Sequence, residues 1–338
     1  MNMVSAPEKL APPRIPAVDI ARGLAILGMF VAHTMPRADD GELLVDGRSS
    51  ILFAALAGVS LGLLSGGTEP PPRGARSAIR RVVLVRALFV FLLGVLLAAL
   101  GSNIAIILDY YAVMFLLVLP LLFTRRVILT TAAAVLLFVA PALARLMDPG
   151  NRPPASAFDI GREYLLTGWY PALVWLPILL TGLVAARSGL ARRRTQVWLL
   201  AGGIAAAVAG YGSSILIPGV SAEAHSGSTA EILGSGGTAF AVIGLLGLVT
   251  TAGRLGDTAR AVLWPLGAAG ALALTVYTAQ IFMLAMVAGA QESGGPEYPG
   301  WPLLIGLAVA SLLGASLWRY FLGRGPLERL LTALAGKR

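Results

Sequence analysis

Residues Arg14 to Pro36 read RIPAVDIARGLAILGMFVAHTMP, and the reading of this stretch decides the fold. A helix crosses a bilayer with about 20 mostly apolar residues, and this one is long enough, yet it contains Asp19, Arg22 and His33. At about 100° per residue, positions 19, 22, 26, 30 and 33 fall on one side of a helix, so the three ionisable groups share a face. Ionisable groups inside a spanning segment are expensive and normally face a bundle interior or a wet cavity. The stretch is therefore read as a spanning helix with a functional face. Basic residues precede it, as in a signal peptide. No small-residue cleavage site follows, however, and Pro36-Arg37 stand where cleavage would fall, so the helix is expected to be retained.

The rest of the chain has matching composition. Of its 338 residues 57% are hydrophobic and 13% charged, whereas a soluble domain has about 45–50% and about 25%; mean hydropathy is +0.80. The expected fold is all-α, a polytopic membrane bundle of about 10 transmembrane helices. Candidate spans are 17–36, 49–66, 82–101, 104–123, 127–146, 168–187, 196–217, 232–253, 262–290 and 301–322. One transmembrane domain, 17–322, then lies between a cytoplasmic N-terminal tail, 1–16, and a cytoplasmic C-terminal tail, 323–338.

The connections test this count, because Lys and Arg concentrate on the cytoplasmic side. Alternate connections carry Arg73, Arg76, Arg80 and Arg81; Arg125 and Arg126; Arg187 with Arg192, Arg193 and Arg194; and Arg254 with Arg260. Lys9 and Arg14 precede the first span, and Arg324, Arg329, Lys337 and Arg338 follow the last. The opposite connections hold most of the acids, including Asp39, Asp40, Glu42, Asp46, Glu223, Glu231, Glu292 and Glu297. Both termini are thus expected in the cytoplasm. The net charge of +9 is read as topology, since no interleaved basic and aromatic surface suits nucleic acid. With no Cys and two His the chain has neither disulfides nor the usual ligands of a zinc or iron site, and no metal is expected. Three connections exceed what turns need: 66–81, 147–167 and 218–231, lengths typical of lids, binding loops or tethers.

Several polar groups carry candidate chemistry. Asp19 and Arg22 form either an interfacial ion pair at i, i+3 or a seat for an anionic group, since planar guanidinium suits phosphate. His33 stands fourteen residues further, about 21 Å along the helix, so it belongs to a separate site. It is either a packed histidine or a general base that titrates near neutral pH. Asp109, opening Asp109-Tyr110-Tyr111, is the carboxylate expected to orient it. Trp169-Tyr170 suit an aromatic belt or a substrate contact. His225-Ser226-Gly227 is a loop or a second proton relay, and Tyr277 and Gln280 form a polar run inside an apolar segment. Gly58-Val59-Ser60-Leu61-Gly62 matches a nucleophile-elbow pattern, but that motif needs a strand-to-helix turn and here lies within a span, so helix packing is the reading. The run Gly234 to Gly237 lacks the preceding strand of a dinucleotide fingerprint.

The pattern Arg14-x-x-x-x-Asp19-x-x-Arg22-Gly23-x-Ala25-Ile26-Leu27-Gly28-Met29 with His33 resembles the YeiB-like bacterial membrane proteins, grouped with the heparan-α-glucosaminide N-acetyltransferase superfamily of transmembrane acyltransferases. Tyr110-Tyr111, Gly168-Trp169-Tyr170-Pro171-Ala172-Leu173, His225-Ser226-Gly227, Ala273-Leu274-Thr275-x-Tyr277 and Gly323-Arg324-Gly325-Pro326-Leu327-Glu328 extend the resemblance over nearly the whole chain. It implies transfer of an acyl group, typically acetyl, from cytoplasmic acyl-CoA (acetyl-CoA) to an extracytoplasmic acceptor, often a sugar, at a multi-pass protein of the bacterial plasma membrane. His33 falls on the family's first-helix catalytic histidine. Many relatives carry His where this chain has Gln280. The donor is expected at Arg22, Asp19, Arg86 and Arg324, and the acceptor at Tyr110, Tyr111, Tyr170, His225, Gln280 and Tyr277. Membrane lipids, acyl-CoA and the acceptor are the expected partners, no nucleic acid is, and a homodimer is left open. A transporter or flippase that binds cargo without chemistry is the competing class, and a membrane scaffold or sensor is the third.

Overall fold

Apolar runs of helical length dominate the computed structural model, which describes residues 14–36, 41–150, 152–295 and 300–336. Residues 1–13 of the expected N-terminal tail, with Lys9, lie outside it, as do Arg37, Asp39, Asp40, Glu297, Lys337 and Arg338. No strand occurs among the described residues. In chain order the helices are α1 (Pro16–Thr34), α2 (Arg48–Leu64), α3 (Arg76–Ala98), α4 (Leu108–Val118), α5 (Arg126–Leu146), α6 (Ala157–Arg162) and α7 (Ala172–Arg187). They continue with α8 (Arg193–Leu216), α9 (Thr229–Thr251), α10 (Gly253–Val262), α11 (Trp264–Ala271), α12 (Ala273–Glu292), α13 (Gly300–Phe321) and α14 (Pro326–Leu334).

The protein is a polytopic membrane protein. Among the described residues seven helices are long and apolar enough to cross a bilayer, or eight if α6 and α7, which bend by 43° at their break, make one span. α2, with 17 residues, and α4, with 11 residues and a following 3₁₀ turn, are apolar but shorter. Two expected features differ. The expected ninth span, 262–290, is interrupted at Leu272, whose backbone (φ −108°, ψ 27°) leaves helical geometry between α11 and α12. The expected loop 147–167 carries α6, capped by the Ser156 hydroxyl, and a π-helical turn over Glu163–Thr167.

Burial separates two kinds of helix. Ile26 and Phe30 of α1, Ile51 and Leu56 of α2, and Trp175 and Leu179 of α7 are fully buried. On α3, Leu84, Leu88, Leu92 and Leu96 are exposed, and on α13 so are Ile305, Val309, Leu313 and Leu317. Each set recurs every fourth residue and so forms one apolar stripe, a face that suits lipid and would be a liability in water. α1, α2 and α7 make the centre, and they approach through glycine. A β-carbon at Gly58 would strike the carbonyl oxygen of Leu179, and one at Gly182 that of Ala55. The Gly58–Gly62 motif is thus a packing seam, as its position inside a helix suggests.

Candidate functional site

Polar groups gather at the two ends of α1. At the Asp19 end, the carboxylate receives Arg22 Nη1 at 3.0 Å, with Arg14 at 3.9 Å and Arg319 at 3.8 Å. Three guanidiniums thus surround one carboxylate, which leaves the cluster cationic. Arg22 also donates to Ser60 Oγ at 2.6 Å, while Ser60 donates to the Leu56 carbonyl; the hydroxyl is engaged on both sides and is not a free nucleophile. Arg319, at the end of α13, stacks over Trp264, 4.8 Å from the ring centre, and donates to the Gly267 carbonyl. α1 meets α11 so closely that a β-carbon at Gly270 would strike the Asp19 carbonyl oxygen.

The break at Leu272 exposes the first amides of α12, which no residue of that helix caps. Glu328, in the first turn of α14, supplies the acceptor: its carboxylate takes Leu274 N–H at 2.9 Å, Thr275 N–H at 3.1 Å and Thr275 Oγ1–H at 2.6 Å. The motif Gly323-Arg324-Gly325-Pro326-Leu327-Glu328 is therefore structural glue between α12 and α14. Arg324 itself is exposed and takes part through its carbonyl, which accepts Trp318 Nε1–H at 3.0 Å. Arg86 is half-buried on α3.

At the other end of α1, His33 Nδ1 lies 2.9 Å from Gln280 Nε2 on α12. Gln280 is 1% exposed, and its Oε1 is buried with no partner among the described residues. The amide presents nitrogen or oxygen to the ring depending on its flip, and that choice sets the tautomer. Asp109, expected to orient His33, bonds Tyr164. Its Oδ2 accepts the Tyr164 hydroxyl at 2.8 Å and its Oδ1 is buried with no hydrogen-bond partner among the described residues. The π-helical turn puts Tyr164 within reach, and Gly94 lets α3 seat against the Asp109 backbone.

Around Asp109 the tyrosines build an aromatic wall. Tyr110 lies 4.8 Å from Tyr164 and 5.7 Å from Tyr170, ring centre to ring centre. Tyr170 donates to the Ala105 carbonyl at 3.3 Å and meets Trp175 and His225, each at 5.2 Å. Tyr111 stacks on Phe53 and Phe115 and donates to the Ser50 carbonyl, with its hydroxyl in electrostatic reach of Tyr170 and Tyr277. Tyr277 is buried on α12. His225 and Trp169 line a cavity of ≈ 330 Å³ together with Arg152, Arg162, Glu163 and Thr167. A larger groove, ≈ 480 Å³, runs along the apolar side of α5 beside Val127, Ile128 and Val135 and has the lining of a lipid contact.

The structure thus joins His33 with Gln280, Asp19 with Arg22, and Tyr110 with Tyr170 and His225. The exposed Arg324 side chain stands apart from these clusters. Tyr164, Arg319 and Glu328 join them, and the sequence reading gave none of these a role: Tyr164 sits in a long loop, and Arg319 looks like an ordinary positive charge at a span's end. No group of three or more His, Cys, Asp or Glu suited to a metal ion occurs among the described residues.

Residues 182–338 match a family described as a protein of unknown function, DUF418. The match runs from within α7 to the end of the chain and takes in His225, Tyr277, Gln280 and Glu328, but not α1. No curated protein matches the chain.

Proposed function

We propose that the protein is a membrane-embedded acyltransferase that moves an acyl group, by resemblance acetyl, from cytoplasmic acyl-CoA to a hydroxyl or amine of an acceptor outside a bacterial plasma membrane, a sugar or glycoconjugate. The observation that carries this reading is the hydrogen bond between His33 and the buried Gln280 across α1 and α12. A general base must have one ring nitrogen fixed so that the other is basic. With the Gln280 amide turned so that Oε1 accepts Nδ1–H, Nε2 becomes the basic nitrogen. It takes the acceptor's proton while the acceptor oxygen or nitrogen bonds the thioester carbonyl carbon. The C–S bond then breaks, and the proton returns from His33 to the departing sulfur of coenzyme A.

The cationic cluster at the Asp19 end supports a donor seat there. Arg22 and Arg319 converge on Asp19, and phosphates are the class of group that such guanidiniums recognise. Arg86 and Arg324 remain proposed donor contacts. The basic connections support cytoplasmic termini, and adding the bent α6–α7 pair, α2 and α4 to the seven long apolar helices gives ten passes. Tyr110, Tyr170 and His225 then form the acceptor side.

In proteoliposomes supplied with labelled acetyl-CoA, His33→Ala is expected to lower acyl transfer by about 10²–10⁴-fold with donor binding retained; full transfer by the variant sinks the proposed base. A carrier without chemistry has one observation in its favour, the interrupted helices at Leu272 and between α6 and α7, because transporters bind cargo at discontinuous helices. Saturable flux with no labelled product would decide for it.

A further inference from the structure

Glu231 is an expensive residue that the His33–Gln280 pair does not use. It lies in the first turn of α9 and is 0% exposed, yet no Lys, Arg or His makes an ion pair with it among the described residues. Its carboxylate is spent on one loop instead. Oε1 accepts His225 N–H at 2.7 Å, and Oε2 accepts Gly227 N–H at 2.8 Å and the Ser226 hydroxyl at 3.3 Å. Residues on either side are also held. Ala224 N–H donates to Glu42 at 2.6 Å, and Ser228 caps the Glu231 amide at 2.9 Å.

This grip fixes an unfavourable backbone. His225 has φ +61° and Gly227 has φ +62°, the left-handed region that a β-carbon disfavours, so His225 needs outside support to stay there. The conformation directs the imidazole into the aromatic wall. It lies edge-on to Trp169 at 5.7 Å and to Tyr170 at 5.2 Å, and nearly parallel to Trp175 at 6.4 Å. Its Nδ1 is 3.3 Å from the Trp169 carbonyl oxygen. The same ring borders the ≈ 330 Å³ cavity.

We propose that Glu231 is a positioning residue whose buried carboxylate holds the 225–227 backbone so that the His225 imidazole forms part of the cavity wall that receives the acceptor's polar group. The last clause rests on the acyl-transfer reading; the positioning role does not. A carboxylate is required because it is acceptor-only and can serve three donors at once, whereas a glutamine amide turns an N–H₂ toward at least one of them.

The test uses the full-length protein in lipid nanodiscs with ¹³Cε1-labelled histidine. The chain has two histidines, so two signals are expected, and His33→Ala assigns them. The His225 signal should show the ring-current displacement of a proton among three aromatic rings. Glu231→Gln is expected to move it toward the value of a solvated imidazole while the His33 signal stays in place. An unmoved His225 signal overturns the proposal. If both signals move, the variant has lost its fold, and Ser226→Ala decides: it removes a donor shared by Glu231 and Ser228 while the Ser228 cap keeps its bonds to Glu231 N–H and the Ser221 carbonyl, so a smaller displacement confined to His225 supports the role and none overturns it. In the transfer assay Glu231→Gln should raise the acceptor KM about tenfold, with kcat and the donor KM unchanged, and should add nothing in a His225→Ala background. An unchanged acceptor KM beside a displaced His225 signal removes the acceptor clause. No transfer by the unmodified protein sinks the acyltransferase reading and leaves the positioning role to the histidine signals.

Discussion

Two glutamates serve helix N-termini at opposite ends of the bundle, and each accepts three hydrogen bonds. Glu231 lies three residues after the Ser228 cap of its own helix and turns back to the loop that leads into it. Glu328 reaches amides 53 and 54 residues earlier in the chain. The chemistry is the same, a carboxylate at the positive end of a helix, but the consequences differ. Glu231 organises a local turn, so its loss should be felt by one loop. Glu328 is a long-range clasp between α12 and α14, so its loss should loosen two elements together. Close by, the ion cluster on Asp19 adds a further contrast, because the Asp19 end is held largely by charge and the His33 end by hydrogen bonds and aromatic packing.

The largest expected effect tests that contrast. Asp19→Ala removes the carboxylate that Arg14, Arg22 and Arg319 share, and stripping one partner from a fully buried ion pair costs about 3–5 kcal/mol, an upper bound here because the Arg22 side chain is 23% exposed. The unfolding midpoint in mixed micelles should fall accordingly. Adding Arg22→Met should restore part of the loss, since the buried guanidinium is then no longer unpaired. If the double variant is as unstable as the single one, Arg22 is not the charge that needs Asp19. Glu328→Ala should cost about 1–3 kcal/mol, the penalty for leaving buried donors unserved. It should also speed tryptic cleavage at Arg329, which in the intact protein donates to the Leu322 carbonyl. Unchanged cleavage would mean that α14 is held by its apolar contacts and not by the clasp.

The same contrast explains what was legible in the sequence. Hydropathy located α1, α5, α8, α9 and α13 to within about three residues and α3 with a start six residues late, because a spanning helix carries its signal in its own composition. It missed the interruption at Leu272, where the stabilising acceptor comes from Glu328 across the chain. Ser228-x-x-Glu231 is a capping signature readable from four residues, although its sequence does not say that the side chain grips His225. His33 and Gln280 each stood out as polar groups in apolar helices, but nothing local pairs residues 247 positions apart. Asp109 was expected beside His33 on depth alone; its Oδ2 accepts the hydroxyl of Tyr164, which a π-helical turn in a long connection delivers. Depth along a helix constrains one coordinate; which helices are neighbours is a property of the packed bundle.

The smallest expected effect sharpens the local half of the comparison. Ser228 Oγ accepts Glu231 N–H at 2.9 Å and donates to the Ser221 carbonyl, so Ser228→Ala removes the cap of α9 and one tie within the loop. An N-cap serine is worth about 1 kcal/mol. α9 is long and packs along α8 through glycines so closely that a β-carbon at Gly210 would strike the backbone of Gly234. Fraying should therefore stop within the first turn. Hydrogen exchange is expected to quicken at Glu231 and Ile232, with little change beyond Gly234 and a nearly constant unfolding midpoint. Glu328→Ala should instead quicken exchange at Leu274 and Thr275 and through α14 in the same measurement. If Ser228→Ala loosened α9 along its length, the cap would be holding the bundle and not only the loop, and the distinction between a local glutamate and a long-range one would fail.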